Sequence, residues 1–203
     1  MKLWGMLDSP YVRRVAISLD LYGVKFEHEP LSVFSTFEAF ARVNPVVKAP
    51  TLTLDDGTVL MDSTLIIDYF EAISDPGAKL LPQQPQALGM ALRTVGLALA
   101  ACEKGVQVVY EHNLRPAEKL HQPWLERVTG QLLAACRELD RQIATVALSC
   151  DQRPDQAAVT TAVAWSFLQL KLADIVKPGD FPALCACAEY LEQTDLFKRY
   201  QIV

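Results

Sequence analysis

In the stretch "SPYVRRVAI" (residues 9–17), Ser9 and Val12 stand at the spacing of a C-x-x-C redox pair, where a strand-like run, "MKLWGM", passes into a helical pattern. Neither residue is cysteine, so if this turn does chemistry on sulfur, the sulfur has to come from elsewhere. The residue types that are present suit the holding of a thiolate. Ser9 is placed as a helix N-cap and Pro10 as the first helical residue, where its missing N–H costs nothing. A thiol with a pKa near ~8.5 is only a few per cent ionised at neutral pH, and a hydroxyl donor and a helix N-terminus both favour the ionised form. Ser9 would then stabilise a nucleophile without being one; its other role is the cap alone, worth ~1 kcal/mol. Tyr11 is a competing donor, or a phenol that packs in the core.

Two further constellations lie downstream. "VVKAP" puts Lys48, Ala49 and Pro50 directly before the strand-like "TLTL", and Asp62-Ser63 opens a helical pattern. Free N–H groups at a helix N-terminus, together with a hydroxyl, suit a carboxylate. Ser63 as a simple N-cap is the plainer reading, and both roles can hold together. There is no H-E-x-x-H and no C-x-x-C set, and His28, His112 and His121 are widely spaced, so no metal site is expected. No G-x-G-x-x-G or Walker pattern follows a strand.

The elements that must position these residues are concentrated in the first part of the chain. Residues 2–6 read as a strand; Val12, Val15, Ala16 and Leu19 then fall at i, i+3, i+4 and i+7 of a helix that Gly23 is placed to close. "VKFEHEPL" reads as a strand and "STFEAFARV" as a helix ending at the turn Asn44-Pro45. "TLTL", "DDGT" and "TVLM" form a hairpin signalled by Asp56-Gly57, and the next helix carries Leu65, Ile66, Tyr69, Phe70 and Ile73 on one side. "SDPGAKLLPQQP" concentrates proline, glycine and glutamine and reads as a linker. Beyond it no strand is convincing: four helical stretches follow, the second set off by Pro116 to Pro123 and the third nearly free of charge between Ala157 and Leu170.

Composition narrows the class. Hydrophobic residues make up 51% and charged residues 21%, with 24 acidic against 19 basic side chains, so there is no basic footprint for a nucleic acid. No uninterrupted apolar stretch reaches the ~20 residues of a membrane span, and no signal-peptide core follows the first residues, which points to a cytoplasmic protein without a membrane partner. The five cysteines, Cys102, Cys136, Cys150, Cys185 and Cys187, are odd in number and sit mostly in apolar helical contexts, which suits packing in a reducing compartment.

A βα-turn at Ser9-Pro10, a "KAP" loop entering a hairpin and "DS" opening a later helix, in that order, resemble the bacterial, serine-type glutathione S-transferases. The resemblance covers essentially the whole chain, including "FPALCACAEYLEQTDLFKRY" near its end. It implies an α/β thioredoxin-like N-terminal domain (βαβαββα) at 1–74, a linker at 75–85 and an all-α C-terminal domain at 86–203. By this resemblance Ser9 donates to the sulfur of bound glutathione, and the Ala49–Pro50 bond is cis, so that the backbone of Ala49 faces the ligand. Lys48 would meet the glycine carboxylate of glutathione, and Asp62 and Ser63 its γ-glutamyl carboxylate. Asp62 stands where the family usually has Glu or Gln, and Asp155 with Ala158 where its central helix often opens on a capping box. The electrophile side would draw on Tyr11, Tyr110, His112 and Arg115, although helical spacing equally assigns Val106, Val109 and Tyr110 to the core.

The activity so implied is that of a cytoplasmic, homodimeric glutathione transferase in detoxification, with glutathione as co-substrate, no metal, and a small hydrophobic electrophile or a disulfide as the group attacked. Two other readings fit the same fold: a binding or regulatory protein without catalysis, and a glutathione-dependent disulfide reductase, against which the absence of cysteine at position 9 counts.

Overall fold

The N-terminal run forms β1 (Lys2–Trp4), and the Ser9-Pro10 signal starts α1 (Pro10–Leu21). Val12, Val15, Ala16 and Leu19 are its buried side, none more than 1% exposed. The helix stops where Gly23 takes φ 74°: Val24 N–H reaches Leu19 O (2.9 Å) and Gly23 N–H reaches Asp20 O (2.9 Å), the paired bonds of a Schellman ending. β2 (Glu27–Glu29), α2 (Phe37–Val43), β3 (Thr51–Thr53), β4 (Val59–Met61) and α3 (Ser63–Ile73) follow in the expected order. The sheet order is β2-β1-β3-β4, with β1 parallel to β2 across α1 and antiparallel to β3, as a thioredoxin-like domain requires. Leu3 pairs with Leu52 at the centre of the sheet, and α1 and α3 pack together with Ile66 and Phe70 in the same core.

The computed structural model describes residues 1–145 and 153–202, and the chain divides into two units. One is Met1–Leu81 together with Thr194–Val203; the other is Pro82–Gln193. The C-terminal segment therefore groups with the α/β unit and not with the helices that precede it. Its residues form a separate short helix, α8 (Asp195–Arg199), capped by Thr194.

Two expectations about α3 are corrected. Its N-cap is Asp62, not Ser63: Asp62 Oδ1 accepts from Thr64 N–H at 2.9 Å and Ser63 is the first helical residue. Its buried side is Ser63, Ile66, Ile67 and Phe70, whereas Leu65, Tyr69 and Ile73 form a separate i, i+4, i+8 line that is exposed. A helix with apolar residues on more than one side offers two periodic faces, and only contact with the sheet decides between them.

The second unit contains α4 (Pro85–Leu114), α5 (Gln122–Thr145), α6 (Gln156–Leu172) and α7 (Pro182–Glu192). By length and composition α4 would pass for a membrane-crossing helix, which uninterrupted apolar runs in the sequence do not reveal. Its buried Val95, Ala98, Ala101, Cys102, Gly105 and Val108 belong instead to a helix that packs on α5 and α6. α6 is buried along nearly its whole length and starts on Asp155, whose Oδ1 accepts from Ala158 N–H at 2.8 Å. α7 begins at Phe181-Pro182 without a cap of its own; Asp140 of α5 supplies one, its Oδ1 accepting from the amides of Ala183 and Leu184, both at 2.9 Å.

The cysteines divide. Cys102 and Cys136 are buried, and burial pushes the Cys136 thiol up to about 12. Cys185 and Cys187 are half-exposed rather than packed, with Cys185 Sγ 3.2 Å from Glu189 Oε1. Cys150 lies outside the described residues.

Candidate functional site

The turn from β1 into α1 is built on Gly5, at φ 135°, where a Cβ would come 2.5 Å from Val12 Cγ2 and 3.2 Å from Ala49 Cβ. Only glycine fits there, and its absent side chain lets the loop before β3 lie against the start of α1. His28 Nε2 lies 2.8 Å from Gly5 O, tying β2 to the same turn.

Ser9 is the N-cap of α1 in backbone conformation (φ −75°, ψ 121°), yet its side chain accepts no bond from the helix. Its carbonyl takes the first helical N–H, from Arg13 at 3.0 Å, and its amide donates to Met6 O at 3.2 Å. The half-buried hydroxyl has no hydrogen-bond partner among the described residues, and the first turn of α1 carries no acidic side chain to repel an anion. Tyr11, next but one, is half-buried.

The Ala49–Pro50 bond is cis. Pro50 is buried and Ala49 half-buried, and neither the amide nor the carbonyl of Ala49 finds a partner among the described residues. Lys48 points toward α3: its Nζ lies 3.4 Å from Asp62 Oδ2, with both side chains substantially exposed. Asp62 holds φ 72°, outside the range that a non-glycine residue adopts readily, while capping α3. Ser63 is 3% exposed, and its Oγ accepts from Arg14 Nη1 at 3.2 Å; the same nitrogen lies 3.3 Å from Thr64 Oγ1. An oxygen that accepts from a buried guanidinium keeps its own proton free to donate outward.

The first unit thus joins the three predicted constellations through named contacts: Ser9's turn to Ala49 across Gly5, and Lys48 to Asp62. Arg14 and Asn44 are additions. Both are nearly fully buried polar residues, at 2% and 4% exposed, and Asn44 had been legible only as a turn marker. In the second unit Tyr110 and His112 are exposed near the end of α4, and Arg115 Nε is engaged by the buried Glu111 at 2.8 Å. The buried positions of that stretch are Gly105, Val108 and Glu111, so the alternative core assignment of Val106, Val109 and Tyr110 is corrected. A concavity of about 330 Å³ lined by Asp20, Lys25, Phe26 and Tyr200 lies at the far end of α1 from Ser9, a helix length of ~16 Å away, and is separate from this cluster. Among the described residues no three His, Cys, Asp or Glu side chains converge as a metal site would need.

In sequence and fold the chain is similar to known proteins. Residues 3–78 match a family model described as glutathione S-transferase, N-terminal domain. Glutathione S-transferase U4 of Arabidopsis thaliana is 30% identical over 144 residues, covering 64% of this chain and 61% of that relative, so the chain spans about three-fifths of its length. An uncharacterised GST-like protein of Escherichia coli, YibF, is 28% identical over 161 residues, covering 74% of this chain and 79% of that protein. The crystal structure of a glutathione transferase family member from Pseudomonas fluorescens, with bound glutathione, superposes at a TM-score of 0.82 and 28% identity, covering 100% of this chain and 98% of the other.

Proposed function

We propose that this chain, similar over residues 3–78 to the glutathione S-transferase N-terminal domain and in fold to a glutathione-bound transferase family member, is a glutathione S-transferase that binds glutathione across Ser9, Lys48, Ala49, Pro50, Asp62 and Ser63 and delivers the thiolate to an electrophile. The observation that carries the reading is the Ser9 hydroxyl. It stands at the N-terminus of α1, accepts no bond from that helix and has no partner among the described residues, so its oxygen and its proton are both available to a ligand. The sulfur that the Ser9-x-x-Val12 turn lacks arrives with the tripeptide. Ser9 donates to it, and the N-terminal end of the α1 dipole adds positive potential; both favour the thiolate over the thiol. The unpartnered amide and carbonyl of Ala49 suit pairing with an extended peptide backbone, as an added strand would. Lys48 and the start of α3 supply the two carboxylate partners that glutathione needs, one by charge and one by N–H groups with the Ser63 hydroxyl. The exposed line Leu65, Tyr69 and Ile73 on α3 supports work as a homodimer, which sedimentation of the purified chain tests.

Losing one hydrogen bond to an ionised sulfur is worth ~1.5–3 kcal/mol. Ser9→Ala therefore lowers kcat toward an aryl halide roughly 10- to 100-fold, changes KM for glutathione much less, and moves the pH–rate midpoint up toward that of free thiol. Unchanged turnover removes Ser9 from the mechanism. Thermal melting of the wild-type chain with millimolar glutathione tests the binding itself: a ligand at ~100 times its Kd adds ~2.7 kcal/mol of stability, and no shift overturns the enzymatic reading.

A further inference from the structure

We propose that Asn44, acting through Thr51, is the residue that holds the 45–50 loop in its ligand-ready form; the inference rests on the glutathione-binding reading of that loop. Asn44 ends α2, its amide donating to Phe40 O at 2.9 Å, and its side chain is buried. From there it makes a set of bonds that no other residue of the loop makes. Its Oδ1 accepts from Val46 N–H at 3.0 Å and its carbonyl accepts from Val47 N–H at 2.8 Å. Its Nδ2 donates to Thr51 Oγ1 at 2.9 Å and lies 3.4 Å from Met61 Sδ. Thr51, fully buried at the first position of β3, passes its own proton to Lys48 O at 2.7 Å. The relay runs one way: amide N–H to hydroxyl oxygen, hydroxyl proton to carbonyl.

The consequence falls on the residues that would touch ligand. Val46 and Val47 are held directly and Lys48 through Thr51, so the chain enters Ala49 with its course set and the Ala49 amide and carbonyl left open. Val47 is kept at φ 50°, a region that disfavours a β-branched residue, which shows that the loop follows its bonds and not its local preference. The side chain must both accept and donate. A carboxylate at position 44 would keep the Val46 bond and lose the Thr51 one; a valine at position 51 would keep the volume and lose both halves of the relay. Asn44 touches no reacting atom in this scheme, and is a positioning residue.

The test compares Asn44→Asp and Thr51→Val with wild type in two assays. In steady-state kinetics both variants raise KM for glutathione by a similar factor of roughly 10, leave kcat at saturating glutathione within about two-fold because Ser9 lies on a different element, and the double variant is no worse than either single one. In the ligand-free protein both variants speed tryptic cleavage after Lys48 relative to cleavage after Lys25, which a general loss of stability would raise in parallel. An unchanged KM in Thr51→Val, with wild type binding glutathione normally, overturns the proposal. If wild type itself shows no response to glutathione, the functional reading fails, and the positioning claim is decided by the proteolysis alone: equal cleavage ratios overturn it, and a raised ratio at Lys48 upholds it.

Discussion

Val47 and Asp62, the two non-glycine residues with positive φ among the described ones, stand on either side in sequence of Lys48 and the cis bond at Ala49–Pro50, and Asp62 pairs with Lys48. Left-handed backbone costs a side-chain-bearing residue ~1–2 kcal/mol, so both places store strain that the surrounding bonds must offset. At Asp62 the α3 cap and the ion pair with Lys48 do so; at Val47 only loop bonds do. Val47→Gly removes the strain and adds some unfolded-chain entropy, for a net gain of ~0.5–1 kcal/mol and a Tm rise of ~1–3 °C. A lower Tm would mean that the Val47 side chain contributes packing that outweighs its backbone. Cys136 gives a pH-dependent case in the second unit. Its buried thiol is held protonated up to about 12, while an ordinary thiol ionises near ~8.5. Below ~8.5 folded and unfolded chains bind this proton alike and its contribution to stability is complete. Between there and the folded value only the unfolded thiol ionises, so stability falls as pH rises, by at most about 1.4 kcal/mol per pH unit. Urea midpoints between pH 8.5 and 10 should therefore fall more steeply for wild type than for Cys136→Ala, and parallel slopes would rule the effect out.

At the scale of elements, the helix starts show how much was local. α1 was legible because Ser9, Pro10 and the spacing of Val12, Val15 and Leu19 all lie within one short segment. α6 was legible for the same reason, through Asp155 and its uncharged run. α7 is different: its first-turn amides are satisfied by Asp140, more than forty residues away on α5. Asp140→Ala leaves both amides without their acceptor and should cost ~1–2 kcal/mol in urea unfolding, while Asp140→Asn keeps an oxygen there and loses about half as much. Equal losses would show that the charge matters and the geometry does not. The partners of the site were hidden as well. Arg14 meets Ser63 across a separation of 49 residues and Asn44 meets Thr51 across a loop at a separation of only 7, and no periodicity within a helix reports either pairing. The buried side of α3 was misread because Leu65, Tyr69 and Ile73 repeat as regularly as Ser63, Ile66, Ile67 and Phe70. Only the presence of β3 and β4 in the same core selects one line. α8, five residues long, is shorter than the window in which a helical period can be seen.

On the scale of the whole molecule, the α/β unit is not one stretch of chain: Thr194–Val203 is part of it, and this segment reaches the helix that carries Ser9. Arg13, 1% exposed on α1, donates from Nε to Tyr200 O at 2.7 Å and stacks its guanidinium 5.4 Å from the Phe197 ring centre. Asp20, near the other end of α1, accepts from the Arg199 guanidinium and from Tyr200 Oη at 2.9 Å, while the Tyr200 ring stacks on Phe26. Burial, reinforced by Asp20, pushes the Tyr200 phenol well above its ordinary range, so it stays a donor at any working pH. A buried guanidinium deprived of an acceptor is strongly destabilising, by ~3–5 kcal/mol when the partner is fully lost. Removing residues 194–203 should therefore lower Tm by ~6–12 °C or more, beyond what the loss of Phe197 burial alone explains. The sign of a second change separates the two causes. In the full chain Arg13→Met breaks the Tyr200 bond and destabilises; in the shortened chain it removes a cation that has lost its Tyr200 acceptor, and should restore part of the lost Tm. The effect of Arg13→Met thus has opposite sign in the two backgrounds, which the double-mutant cycle reads as a non-zero coupling. If Arg13→Met destabilises both chains equally, the C-terminal segment is held by its apolar contacts and Arg13 is satisfied from within α1's own unit without it.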